Sequence, residues 1–167
     1  MAEASMETVL IAIHAMSWSI YVGGAICMEL VLRHAQNYMK PSQIAVVCQN
    51  SGMRYRWWSL GCLILLLATG ILLAQKHPDS FSAESARGLI TISMCVLWLV
   101  QILILAFLSF RVHPDMHLRV SSAMTAEQVQ TERQRVGTAI VQMDITVRIE
   151  LGCALLAMLV GTSLHLV

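Results

Sequence analysis

Residues 8–28, TVLIAIHAMSWSIYVGGAICM, contain no Asp, Glu, Lys or Arg and hold one histidine, His14, inside the apolar run. A helix crosses the roughly 30 Å hydrocarbon core of a bilayer in about 20 apolar residues, so this run is long enough to span it. Three more charge-free runs follow, at 57–75, 88–110 and 151–167. Backbone groups in hydrocarbon must find their partners within the segment, which makes each run a helix. The expected fold is all-α: an integral membrane antiparallel four-helix bundle forming one domain, 1–167, with spans at about 8–32, 56–75, 88–111 and 146–166. An ionisable side chain at membrane depth is expensive and marks a functional candidate, which puts His14 first.

Composition supports that class. The chain is 57% hydrophobic and 13% charged with net charge +1, and its mean hydropathy is +0.67. No basic face for nucleic acid exists in such a chain. The expected partner is the lipid bilayer, and the short loops confine any chemistry to the helices or their ends. The N-terminal MAEASMET carries two glutamates and no Lys or Arg, unlike a secretory signal, so the first helix is expected to remain. Nine of the eleven basic residues fall in the first and third loops: Arg33, Lys40, Arg54 and Arg56, then Arg111, Arg119, Arg133, Arg135 and Arg148. Only Lys76 and Arg87 fall in the second. The positive-inside rule places the first set in the cytoplasm and both termini on the outer (periplasmic) side of a bacterial inner membrane.

Pro41-Ser42-Gln43 reads as a helix start lying along the cytoplasmic interface. His113-Pro114-Asp115 reads as the end of the third helix, because proline disfavours helix in the residue before it. Thr125 with Gln128 resembles a capping box that opens a helix over 126–166, half stalk and half span, with Gly137 its weak point. Cys27, Cys62, Cys95 and Cys153 lie in spans, form no CxxC pair, and read as buried apolar thiols. The methionines read as core filler.

At helical spacing His14, Trp18, Tyr21, Ala25, Met28 and Leu32 form one stripe facing the bundle interior. The histidines sort by depth, with His14, His77 and His165 toward the outside and His34, His113 and His117 toward the cytoplasm. A transmembrane electron carrier with haem near each surface would need such an arrangement, and so would polar residues simply driven to helix ends. Glu29 and Arg33 neutralise each other at i, i+4, and Glu132 with Arg135 and Asp144 with Arg148 read as pairs on a solvated face. Glu150 opens the fourth span beside Arg148. Arg54, Arg56, Arg148 and Arg33 are candidates for haem propionates, while Trp57 and Trp58 read as an interfacial belt. Gly23-Gly24, Gly61, Gly70, Gly152 and Gly161 would let helices or a flat macrocycle come close.

The segment IHAMSWSIYVGGAICMELVLRH (13–34) resembles the first helix of the CopD-like and HemJ-like four-helix membrane proteins. MRYRWWSLGCLILLLATGILLA (53–74) is similar to their second helix, with basic and aromatic residues at its start and Thr-Gly near its end. RIELGCALLAMLVGTSL (148–164) resembles their last. The resemblance implies b-type haem in the HemJ branch, with His14 as a ligand, and copper handling in the CopD branch. HemJ-like proteins carry a lysine in the third helix, whereas 88–110 has no basic residue, which argues against protoporphyrinogen oxidation. The leading expectation is a membrane b-type cytochrome exchanging electrons with a quinone or partner redox protein, its second axial ligand open among His165, His77 and Met94. The alternatives are a copper-handling protein using His14, His77, Met94 and His165, and a cofactor-free subunit or homo-oligomer within a larger membrane complex.

Overall fold

The computed structural model describes residues 2–115 and 124–166, and their side chains except at positions 2–4, 41, 42, 45, 165 and 166. Helix α1 covers 2–36: α-helical over Ala2–Ile26, widened to π-helix over Cys27–Leu32, and α-helical again over Arg33–Gln36. Helix α2 is Pro41–Ala74. A 3-10 turn at Pro78–Phe81 leads to α3, which runs over Ala86–Phe107, passes through a π segment at Leu108–Val112 and ends with His113–Asp115. Helix α4, Ala126–Thr162, closes with a 3-10 turn at Ser163–Leu166. The described residues contain no strand. All four helices are long and apolar enough to cross a membrane, and their outward faces display large apolar side chains such as Met16, Leu103, Phe110 and Leu159, as contact with lipid requires.

All four helices outrun the hydrocarbon core of a bilayer. At 1.5 Å per residue the 34 residues of α2 span about 51 Å and the 37 of α4 about 55 Å, against a core of roughly 30 Å. The expected interfacial helix at Pro41 is therefore the start of α2 itself. Proline at the first helical position sacrifices only an N–H that would have lacked a partner. Gln43 Oε1 accepts from Lys40 N–H at 2.9 Å, and no proline interrupts the chain before Ala74. The capping box of α4 is present as read: Thr125 N–H donates to Gln128 Oε1 at 2.8 Å, and Gln128 N–H donates to Thr125 Oγ1 at 3.3 Å. Gly137 does not break the helix.

The end of α3 departs from expectation, because the helix continues two residues past His113. Proline in a helix loses one N–H and crowds the carbonyl four residues back. Here the preceding turn is widened, and His113 N–H bonds to Leu108 O, five residues back, which relieves that crowding. The thiols depart as well. Cys48 and Cys62 are buried, but Cys27 and Cys95 lie on the outer face of the helices, where lipid accepts a thiol as readily as a protein core does.

Apolar packing forms two clusters. Tyr21 and Val22 of α1 meet Cys62, Leu63 and Leu66 of α2, Leu105 of α3 and Ala154 of α4. Toward the loops that carry most of the basic residues, Cys48 of α2 meets Leu108 and Val112 of α3 and Ala139, Met143 and Val147 of α4. The predicted interior stripe of α1 holds, with Tyr21 and Ala25 fully buried and His14, Trp18, Met28 and Leu32 half-buried.

At the opposite end, a Cβ on Gly88 would collide with Ser82 O and Asp79 O, whereas one on Gly137 would meet nothing within 4 Å. Gly88→Ala is expected to destabilise by about 1–3 kcal/mol through backbone overpacking. Gly137→Ala should stabilise by up to about 1 kcal/mol through helix propensity. Thermal unfolding of both variants in one detergent checks the opposite signs.

Candidate functional site

Among the described residues, four of the levels at which polar side chains cross between helices involve the ionisable residues of α1 and α4. Outermost, Lys76 Nζ of α2's C-terminal extension pairs with Glu7 Oε2 of α1 at 3.2 Å. Two turns further in, His14 Nδ1 lies 2.8 Å from Thr69 Oγ1. The Thr69 hydroxyl already donates to Leu65 O at 2.6 Å, so its oxygen must accept, and the proton between the two side chains belongs to His14 Nδ1. That assignment follows from the hydrogen-bond network and makes the neutral ring an Nε2 lone-pair donor. Gly70 lies beside the imidazole, where an added Cβ would make an ordinary contact of 3.6 Å with His14 Cε1. Thr69 of α2 therefore holds the histidine of α1.

The third level is the most buried. Glu150 of α4 has no exposed surface, and its Oε1 accepts from Tyr21 Oη of α1 at 2.8 Å and from Tyr55 Oη of α2 at 3.3 Å. Glu150 Oε2 has no partner among the described residues. Glu150, expected at the opening of the fourth span beside Arg148, is thus buried among three helices. Positions i and i+2 face different sides of a helix, so Arg148 points away. Tyr55 fits because Gly24 of α1 faces its ring, where a Cβ would stand 2.9 Å from Cε2.

At the fourth level Glu29 Oε1 accepts from Arg33 Nη1 at 2.7 Å and from Arg148 Nε at 3.0 Å, and Arg33 Nη2 stands 3.7 Å from Asp144 Oδ2. The expected Asp144–Arg148 pair along α4 is replaced by bonds to α1, because both side chains face the neighbouring helix. Further along the stalk Glu132–Arg135 is present at 2.6 Å, and Arg135 also reaches Asp115 at 3.2 Å.

The expected arginines do not gather around His14. Arg148 bonds Glu29, fifteen residues along α1 from His14, about 22 Å away. Arg56 is buried, donating Nε to Gly52 O at 3.0 Å and Nη1 to Leu108 O in the π segment at 3.1 Å. Arg54 is exposed. Of the candidate ligands, His34 is exposed with its ring edge toward Tyr38, His77 is exposed in the link after α2, and His113 is half-buried in the cavity wall beside Arg56. Met94 packs against Gly161, where a Cβ would stand 3.0 Å from its Cε. His165 lies in the closing turn with its side chain outside the described set, and His117 is outside the described residues. Among the described residues no three His, Cys, Asp or Glu side chains converge to hold a metal ion.

Two cavities adjoin these levels. One of about 20 Å³ lies between Arg56, Met28, Leu108 and His113, and one of about 180 Å³ lies between Ile20, Tyr21, Gly24, Tyr55 and Trp58. Sites for drug-sized ligands run to about 300–1,000 Å³, so neither encloses a macrocycle, and His14 lines neither. Among the described residues the donor chemistry at His14 fits one axial position. Sequence reading missed Thr69 and Tyr55 and misplaced Glu150. The available signal was an acid inside a span with no base three or four residues away. No protein-family model, curated protein or solved structure matches this chain.

Polar contacts between membrane helices are worth about 0.6–2 kcal/mol. A double-mutant cycle of Tyr21→Phe and Glu150→Gln is expected to give a coupling energy in that range. The partly exposed Glu29 and Arg148 pair should couple by less than about 1 kcal/mol. Unfolding of the four single and two double variants in mixed micelles measures both.

Proposed function

We propose that this chain is a multi-pass protein of a bacterial inner membrane, an antiparallel bundle with both termini on the outer side, that binds b-type haem through His14 and exchanges electrons with a quinone or a partner redox protein. The observation that carries the reading is the single held tautomer of His14. Thr69 Oγ1 accepts a hydrogen bond from Nδ1–H, and Nε2 has no hydrogen-bond partner among the described residues. Metal-ligating histidines characteristically donate their other ring nitrogen to an oxygen that fixes orientation and raises basicity. Haem, when bound, supplies one-electron chemistry.

The rest of the proposed work belongs to the chain's own side chains. Thr69 orients the imidazole and holds its proton at Nδ1. Apolar surface from Trp18 and Leu66 helps keep the outer half of the bundle dry. The orientation rests on the asymmetry of the basic residues, nine on one side and two on the other. Contacts of Glu7 with Lys76 and of Gln36 with Cys48 support opposite directions for α1 and α2.

The test is the visible spectrum of detergent-purified protein, oxidised and dithionite-reduced, with a pyridine haemochrome to count haem per chain. A sharp reduced α-band at one haem per chain is expected, lost in His14→Ala with helical content retained. Thr69→Val should weaken haem retention by about 10–100-fold, the usual cost of removing the group that orients a ligating histidine. A colourless wild-type protein after expression with ample haem sinks the proposal and favours the cofactor-free subunit.

A further inference from the structure

The larger cavity is a crevice between α1 and α2, and its two sides differ in kind. Ile20 and Trp58 are exposed on the outer surface of the bundle, at 51% and 70% of their full areas, whereas Tyr21, Ser59 and Cys62 on the inner side are almost completely buried. The crevice therefore opens sideways, toward the acyl chains, and a ligand reaches it by partitioning into the membrane first. Its volume of about 180 Å³ exceeds only slightly the roughly 150 Å³ of an apolar cavity that accepts one benzene ring. A single substituted ring fits, and a macrocycle does not.

The inner side also carries chemistry that an acyl chain would not use. Tyr21 and Tyr55 both line the crevice, and both spend their hydroxyl protons on Glu150 Oε1. Their oxygens are left as hydrogen-bond acceptors, each with lone pairs and no proton to give. Behind them the second oxygen of a fully buried carboxyl, Glu150 Oε2, has no partner among the described residues. A ring that brings hydroxyls finds both phenol oxygens and the Ser59 oxygen to accept from it, whereas one that brings carbonyls finds a single donor, the Ser59 hydroxyl, which has no other partner among the described residues.

We propose that this crevice is a binding site for the headgroup of a membrane-soluble quinol, with a ring hydroxyl donating to the Tyr55 or Tyr21 oxygen and the tail leaving between Ile20 and Trp58 into lipid. The inference deepens the proposed exchange of electrons with a quinone, on which it rests for its purpose, and it names where the reduced form docks. The phenols and Glu150 form a continuous hydrogen-bonded line from the ring into the bundle.

The experiment uses the full chain in nanodiscs equilibrated anaerobically with decylubiquinol or decylubiquinone. Bound ligand is quantified by chromatography and corrected for partition into empty discs. One saturable quinol per chain is expected, with the quinone about tenfold weaker, the worth of one satisfied against one unmade hydrogen bond. Ile20→Trp, a change on the lipid face that leaves the core alone, should close the mouth and lower quinol affinity by at least about tenfold. Tyr55→Phe should lower quinol affinity while leaving quinone binding within about twofold. The proposal is overturned by partition without saturation, by equal affinity for the two forms, or by Ile20→Trp binding like the wild type. The readout is the ring and not the haem. A colourless protein that binds quinol sinks only the cytochrome reading, and a haem protein without saturable quinol sinks only this one.

Discussion

A carboxyl group without water must be satisfied by its neighbours, and in this protein that requirement draws three helices together. Glu150 of α4 has no exposed surface and takes its hydrogen bonds from Tyr21 of α1 and Tyr55 of α2. Hydrocarbon offers no drive for apolar helices to associate, because lipid tails are as apolar as leucine, so packing and polar bonds between helices must set the arrangement. The phenols reach the carboxyl from two directions and thereby fix the rotation of α1 and α2 about their axes. Gly24 permits the approach of Tyr55, and the larger apolar cluster packs around the same residues, with Trp18 stacked on Tyr21 at 5.7 Å between ring centres.

With that level set, the others fall into register. Counting outward from Tyr21 by two turns of α1 brings His14 to Thr69, and two more bring Glu7 to Lys76. Counting the other way brings Glu29 to Arg148 and Arg33 to Asp144. The two π segments lie at this end, at Cys27–Leu32 and Leu108–Val112. Widened turns of this kind are rare and often mark functional positions. In α3 the wide turn makes room ahead of Pro114, and its first carbonyl, at Leu108, also accepts from the buried Arg56. The half of the bundle that carries the N-terminus thus holds His14 on Thr69, while Arg33, Arg56 and Arg148 find their partners in the other half.

Much of this architecture is legible in the chain. Four charge-free runs specify four membrane-length helices, because the bilayer's thickness turns residue count directly into span. The stripe from His14 to Leu32 specifies which face of α1 turns inward, and Thr125 with Gln128 specifies where α4 begins, since both are local geometric rules. The Glu29–Arg33 and Glu132–Arg135 pairs are equally local and are found as read. The misread side-chain partners share one cause. Asp144 and Arg148 sit at helical neighbour spacing yet bond to α1, and Glu150 sits beside Arg148 in sequence yet faces the opposite way, because a side chain's partner depends on which helix lies against its face.

The sequence by itself determined the class of protein, the number of its membrane-length helices, the asymmetry of its charges and the inward face that carries His14. These follow from hydropathy and period, which are properties of one segment at a time. Only the tertiary structure decided that Thr69 holds the proton of His14, that Tyr21 and Tyr55 meet on Glu150, that the arginines stand far from the histidine, and that a lipid-facing crevice opens between α1 and α2. Each depends on the relative rotation and depth of two helices, and lipid-facing sequence specifies neither, because a membrane and a neighbouring helix accept the same side chains.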